Sequence, residues 1–393
     1  MEPLLFLTYF TLILLLGLIC AIISKRVRTP NILLLLVVGI SLSKITYNGQ
    51  PLIQFPPLFL TSIALFSLIM LSFDISARLK FKEFDALYYR AMKLTFFWLM
   101  LNIIILTFLA SFLTGMNPFI ALAFAILMSS TDPEAILSMF HKSRNTVTET
   151  LKMESLLNTP LAILLPFIFV SMMMSSSANF FSAITSNLIP LIQQLATGIG
   201  IGILMGFLIF KLFRKYYSNL LSPVTAIIAA LLSFIISEQL GGNGIISVMA
   251  LGFFFGNVHL KDKPHLMEFS SVFADSLEIL VFILLGLMIS FPLDANFITN
   301  SLVLFAVYLI LRFIAISITL RQHSYTSKEK LFMALSSHKG IAAASVVLAL
   351  AAFSIQGMAP FLQLALAFML YSLMLSTIIS FSQRNVIESK KSV

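Results

Sequence analysis

Residues 128–137 read MSSTDPEAIL, and they sit inside a run that is otherwise apolar from Pro118 to Phe140. The ten residues hold two acids, a proline and three hydroxyls. Pro133 has no N–H and so leaves the carbonyl of Ser129, one turn earlier, without its helical donor. A helix stopped there exposes loose carbonyls, which deep in a membrane are tolerated only where they are buried in protein or line a cavity. Helix ends also carry the partial charges that ion sites use. The rival reading of Thr-Asp-Pro-Glu is an N-terminal cap starting a short cytoplasmic helix. The rest of the chain decides between them.

That chain has 393 residues, 59% hydrophobic and 10% charged, with a mean hydropathy of +1.01. Soluble domains carry about a quarter charged residues, so most of this length belongs in a membrane. The 38 Phe and 19 Met suit lipid-facing and helix-packing surfaces. The single cysteine, Cys20, excludes a disulfide framework and reads as a small buried hydrophobe. No basic segment precedes the apolar residues 3–23, and Lys25, Arg26 and Arg28 follow them, which is the order of a retained span and not of a cleaved signal.

A span needs roughly 20 apolar residues to cross about 30 Å of hydrocarbon. Thirteen runs qualify, near 3–23, 30–46, 57–73, 93–114, 118–140, 150–173, 187–210, 219–238, 243–259, 272–292, 297–320, 331–354 and 360–382. Lys and Arg fall in alternate loops, at 25–28, 78–93, 142–152, 211–215, 261–263, 321–330 and 384–391. The positive-inside rule makes that side cytoplasmic, so the N-terminus is expected outside and the C-terminus inside the cell membrane. The net charge of +9 is thereby explained by topology and anionic lipid, with no role for nucleic acid. The expected organisation is a membrane domain over 1–383 and a cytoplasmic tail over 384–393. Within the domain, repeat one covers about 1–173, a linker helix about 187–210, and repeat two about 219–383. Equal units of six spans that begin on opposite sides meet the requirement for inverted repeats.

Of the 25 Lys and Arg residues, Lys44, Arg312 and Lys339 lie outside those loops. An ionised side chain at the bilayer centre costs at least roughly 2.5–3.5 kcal/mol on insertion scales and persists only with a partner, water or a function. Asp132, Glu134, Glu154, Arg312 and Lys339 are the candidates, while Glu238, Asp275 and Glu278 lie nearer span ends and read as interfacial acids. In KMESLLNTP, Glu154 and Asn158 share a helix face, as do Ser155 and Thr159. Under the repeat mapping, SSTDPEA of span five corresponds to SSHKGIA of span twelve, an acid in one and a base in the other. Two such elements facing one another would offset their half-helix dipoles. Lys339 read alone would be a snorkelling lysine, and His338 a locally satisfied hydrogen bonder. Gly198, Gly202 and Gly206 form a ridge for close helix packing, and Gly241, Gly242 and Gly244 read as a turn. No nucleotide loop, zinc spacing or nucleophile elbow is present, so an enzyme and a cofactor are not expected.

Taken together, STDPEAILSMF, ESLLNTP, LRFIAI and SSHKGIAAASVVLAL, in this order, resemble the monovalent cation/proton antiporters, in particular the NhaP-like branch related to sodium/proton exchangers. The resemblance implies an all-α membrane protein of about thirteen spans, with two inverted repeats and crossed discontinuous helices, assembled as a homodimer in lipid. It implies exchange of a monovalent cation, Na⁺ first and also Li⁺ or K⁺, for protons by alternating access, in the service of pH homeostasis. Carried over, Thr131 and Asp132 belong to the crossed-helix element, Glu154 and Asn158 to that of span six, and Arg312 pairs with Glu154. Lys339 stands where the family has Arg in a Pro-Arg-Gly turn. Na⁺ would be held by Asp132, Thr131 and Asn158, with Ser155 and Thr159 adding hydroxyls. The family follows the asparagine with an aspartate; this chain has Thr159. With Glu154 committed to Arg312, Asp132 is the carboxylate left to trade cation for proton, and Glu134 is in reserve. The departure also admits a transporter or channel of the same fold for another solute, or a non-transporting sensor.

Overall fold

Each of the thirteen apolar runs contains a helix in the computed structural model, and their lengths set the architecture. The structure describes residues 3–27, 29–47, 50–51, 53, 55–79, 86–132, 146–174, 180–216, 221–258, 263–292, 294–321, 325–353 and 355–382. In chain order the helices are α1 (Pro3–Val27), α2 (Asn31–Ser43), α3 (Pro57–Ala77), α4 (Ala86–Leu101), α5 (Thr107–Thr114), α6 (Pro118–Leu127), α7 (Thr146–Met174) and α8 (Phe180–Tyr216). They continue as α9 (Leu221–Gln239), α10 (Gly244–Asn257), α11 (Lys263–Met288), α12 (Ala295–Thr319), α13 (Ser327–Leu335), α14 (Ile341–Ala352) and α15 (Ala359–Ser382). A two-residue antiparallel hairpin, Thr46–Tyr47 with Gln50–Pro51, joins α2 to α3.

Seven of the described helices are long and apolar enough to cross a membrane. Their lipid-side positions are exposed Leu, Ile and Phe, such as Leu15, Phe108, Phe207 and Ile310. Of the short ones, α6, α10 and α14 are almost wholly apolar and heavily buried, as expected of helices surrounded by other helices, while α2 buries one side only. The fourth run is two α-helices joined without a loop by a π-helical segment, Asn102–Leu106. The linker helix is longer than its apolar run: α8 spans Phe180–Tyr216.

Small residues fix the closest approaches. A Cβ on Gly198, Gly202 or Gly206 of α8 would run into Asn243, Ser247 or Phe254, so the ridge seats α8 directly on α10. Gly241 turns the chain with φ +72°, a conformation that favours glycine, whereas Gly244 already opens α10. On the turn, the carboxylate of Glu238 accepts from the Gly244 N–H at 2.7 Å, and Glu238 is exposed, in keeping with an interfacial acid. Lys44 closes α2 from an exposed position.

Two helices stop where an uninterrupted span would continue. α6 starts from an Asn117 cap with Pro118 in its first turn, then ends at Leu127, and residues 128–132 leave the helical path. α13 begins with a reciprocal Thr326–Glu329 capping box, ends at Leu335, and α14 restarts at Ile341 after the non-helical stretch 336–340. These are the fifth and twelfth runs, and their interrupted stretches meet. The reserve acid Glu134 lies outside the described residues, as does the rest of the fifth run.

Candidate functional site

The four carbonyls released where α6 ends are the starting material of the site. A helix leaves its last carbonyls without internal donors, and Met128, Ser129, Ser130 and Thr131 are all buried. Each is met by a side chain from another element. Lys339, in the gap between α13 and α14, donates from Nζ to the carbonyls of Met128 and Ser130, the latter at 2.7 Å. Its third donor goes to the hydroxyl of Tyr308 at 2.6 Å. The Ser129 carbonyl accepts from Asn158 Nδ2 of α7 and from Trp98 Nε1 of α4, the latter at 2.9 Å. The Thr131 carbonyl accepts from Ser155 Oγ of α7 at 2.7 Å. Lys339 is fully buried, so the snorkelling alternative does not hold: its ammonium is a cap on the negative end of α6.

The acid does the converse. Asp132 donates its backbone N–H to the His338 carbonyl at 3.1 Å, which ties the two gaps together. Its side chain lies against Gly340, the residue that opens α14. A Cβ on Gly340 would fall on Oδ2 of Asp132, so the carboxylate reaches the positive end of α14 through space that only glycine leaves. Unlike its neighbours, Asp132 is half-buried and not sealed. The charge exchange expected between SSTDPEA and SSHKGIA is therefore the geometry found: each gap's charge rests on the other's helix end.

Beside the crossing, Glu154 of α7 and Arg312 of α12 form a bidentate pair with no exposure on either side chain, Nη2 to Oε2 at 2.6 Å and Nη1 to Oε1. Two charges survive here because each satisfies the other with two hydrogen bonds. The guanidinium also lies 5.1 Å from the centroid of the Trp98 ring. Tyr308, one turn before Arg312, meets that ring edge-on at 5.2 Å, and the Lys339 ammonium stands 4.5 Å from its own centroid.

The remaining candidate ligands divide by what already occupies them. Asn158 is buried, with its amide engaged at Ser129 on both sides: Nδ2 to the carbonyl, and Oδ1 accepting from Ser129 Oγ at 3.2 Å. Thr159 Oγ1 donates to the Ser155 carbonyl at 2.7 Å. Thr131 Oγ1, next to Asp132, is buried with no hydrogen-bond partner among the described residues. His338 is fully buried and both of its ring nitrogens lack a partner among the described residues, which departs from the locally satisfied histidine expected from sequence. Among the described residues no group of three His, Cys, Asp or Glu could hold a metal ion.

Sequence reasoning missed two participants, Trp98 and Tyr308, and one further buried acid. Trp98 and Tyr308 sit in apolar runs, where one more aromatic carries no signal. Asp74 of α3 is also buried, its Oδ2 bridged to Arg78 at 2.8 Å and its Oδ1 without a partner among the described residues. The four-residue spacing of an acid and a base at the end of a span was the available sign.

Interrupted helices that cross within an apolar helical bundle, with an acid and a base on opposite ends, mark a multi-pass membrane protein. The family described as sodium/hydrogen exchanger, transmembrane, matches residues 11–383, and the chain belongs to it. It is 25% identical over 346 residues to the K⁺/H⁺ antiporter NhaP of Alkalimonas amylolytica, covering 86% of this chain and 58% of that protein. It is 27% identical over 314 residues to the probable Na⁺/H⁺ antiporter 2 of Methanocaldococcus jannaschii, covering 75% and 71%. The chain spans about half the length of several such relatives, for example 46% of the K⁺/H⁺ antiporter NhaP2 of Shewanella sp. strain ANA-3. In fold it is similar to the solved sodium proton antiporter MjNhaP1 of Methanocaldococcus jannaschii at pH 8, with a TM-score of 0.78, 18% identity, and 96% and 100% of the two chains covered.

Proposed function

We propose that the protein exchanges a monovalent cation, Na⁺ first and also Li⁺ or K⁺, for protons by alternating access, with Asp132 as the exchanging carboxylate. The observation that carries this reading is the contrast in accessibility: Asp132 is half-buried at the crossing, while Glu154 is closed off by Arg312. A single carboxylate in a low-dielectric site holds a cation or a proton, not both, because two positive charges at that distance repel strongly. That exclusion is the exchange. Thr131 Oγ1 is an oxygen with no hydrogen-bond partner among the described residues, and Asn158 and Ser155 hold the backbone of residues 129 and 131 in place. The Thr159 and Ser155 hydroxyls each donate to a carbonyl and keep oxygen lone pairs with which to ligate a cation. Glu154–Arg312 braces α7 against α12. The names of the relatives support the activity, and the alternation of Lys and Arg between loops supports an outside N-terminus and a cytoplasmic C-terminus. Assembly as a homodimer in the lipid of the cell membrane, repeats over about 1–173 and 219–383 joined by a linker helix over about 187–210, and a part in pH homeostasis belong to the same proposal.

A second reading, favoured by Thr159, is a transporter of this fold that no longer couples cation to proton. The test is reconstitution into liposomes loaded with a pH-sensitive dye, under an imposed pH gradient, with Na⁺, Li⁺ or K⁺ added. The wild type is expected to move protons in response to a cation, and Asp132→Asn to lose that response while remaining folded. A folded wild type that stays silent with all three ions would turn the assignment to the second reading.

A further inference from the structure

Trp98 is the single tryptophan of the chain, fully buried on α4, which carries none of the charged residues of the site. A buried indole N–H ordinarily finds an acceptor; what matters is which one. Here it is the Ser129 carbonyl, just beyond the end of α6 and three residues before Asp132. That carbonyl also accepts from Asn158 Nδ2, so an indole N–H and an amide hold it from two different helices. The face of the same ring carries the Arg312 guanidinium, whose Nε has no hydrogen-bond partner among the described residues. The π face is thus what supports that part of the cation. The indole also packs edge-on against Tyr308, and the Tyr308 hydroxyl receives Lys339. One side chain therefore touches the end of α6, the buried ion pair, and the aromatic that positions the crossing lysine.

We propose that Trp98 is a positioning residue of the cation site, setting the Ser129–Asp132 stretch through its N–H and the Glu154–Arg312 bridge through its ring. This rests on the exchange reading above. A core aromatic that only fills space would affect folding and leave ion affinity alone. A positioning residue alters the affinity of the Asp132 site, and as the chain's one tryptophan it reports cation binding in its own emission.

The experiment uses the full chain. Trp98→Phe keeps a ring for Arg312 and removes the N–H; it is compared with the wild type and Asp132→Asn in the liposome assay over a range of Na⁺, Li⁺ and K⁺. The loss of one hydrogen bond to the site is expected to raise the half-saturating cation concentration roughly three- to tenfold, with the maximal rate kept within about twofold. In detergent, wild-type tryptophan emission is titrated with the same ions and is expected to shift saturably, with no shift in Asp132→Asn. If the wild type exchanges, Asp132→Asn does not, and Trp98→Phe has the wild-type half-saturation, the role of Trp98 is overturned and the exchange reading stands. If the wild type carries no cation-driven proton flux, the exchange reading falls, and this assignment with it. Should Trp98→Phe fail to fold, the wild-type titration decides: a cation-dependent shift absent from Asp132→Asn supports the role, and an unmoved emission overturns it.

Discussion

Among the described residues, the two carboxylates at the crossing, Glu154 and Asp132, are held in opposite ways. Glu154 is matched bond for bond by Arg312, with neither side chain reaching solvent. Asp132 lies against a helix end and a glycine, half-buried, beside a hydroxyl with no described partner. A carboxylate whose charge is cancelled by a fixed bidentate partner is costly to uncover. One resting on a partial helix charge keeps its charge stabilised without being closed to a competing ion. The difference assigns bracing to the first and exchange to the second.

Breaking the braced pair has the largest expected effect. Arg312→Met leaves Glu154 buried and unpaired and should destabilise the protein by roughly 3–5 kcal/mol, whereas Glu154→Gln with Arg312→Met should cost clearly less; unfolding in detergent followed by circular dichroism separates them. Equal loss in the single and double variants would mean that the pair does not act as a unit. Next comes the crossing. Lys339→Met removes the donor shared by the Met128 and Ser130 carbonyls and should cost about 1–3 kcal/mol, the penalty of leaving buried acceptors unmet. Gly340→Ala should change stability less but strike exchange directly, since its methyl group occupies the place of the Asp132 carboxylate; flux near that of Asp132→Asn is the expected outcome. Unaltered flux in Gly340→Ala would break the placement of Asp132 on α14. The mildest test is Thr159→Asp, which adds a carboxylate one residue from Asn158. It should shift cation affinity or the number of protons exchanged without loss of fold.

The division between the two acids was partly legible in the chain. Hydropathy marks the spans because lipid leaves few alternatives, and the buried charges announce themselves by their cost. Pro133 even identifies the Ser129 carbonyl as the one in need of a donor. The identity of that donor was not readable. Asn158 carries a helical spacing from Glu154, but Trp98 is an aromatic within an apolar run and reaches Ser129 only through the packing of α4 on α6. The π-helical segment at Asn102–Leu106 follows no proline or glycine, so nothing in the pattern marks it. Lys339 needed the fold as well, since snorkelling and capping place a lysine at the same position in a span. Asp74 lies one residue past the apolar run 57–73, where a charge is ordinary, and only the fold shows that it is buried.

The central claim is that cation and proton compete for Asp132. Calorimetric titration of the purified protein with Na⁺, in two buffers of different ionisation enthalpy, counts the protons released on binding. The account predicts about one proton released per cation in the wild type and in Glu154→Gln with Arg312→Met, and none in Asp132→Asn. Proton release from Asp132→Asn equal to that of the wild type would place the exchanging group elsewhere and contradict it.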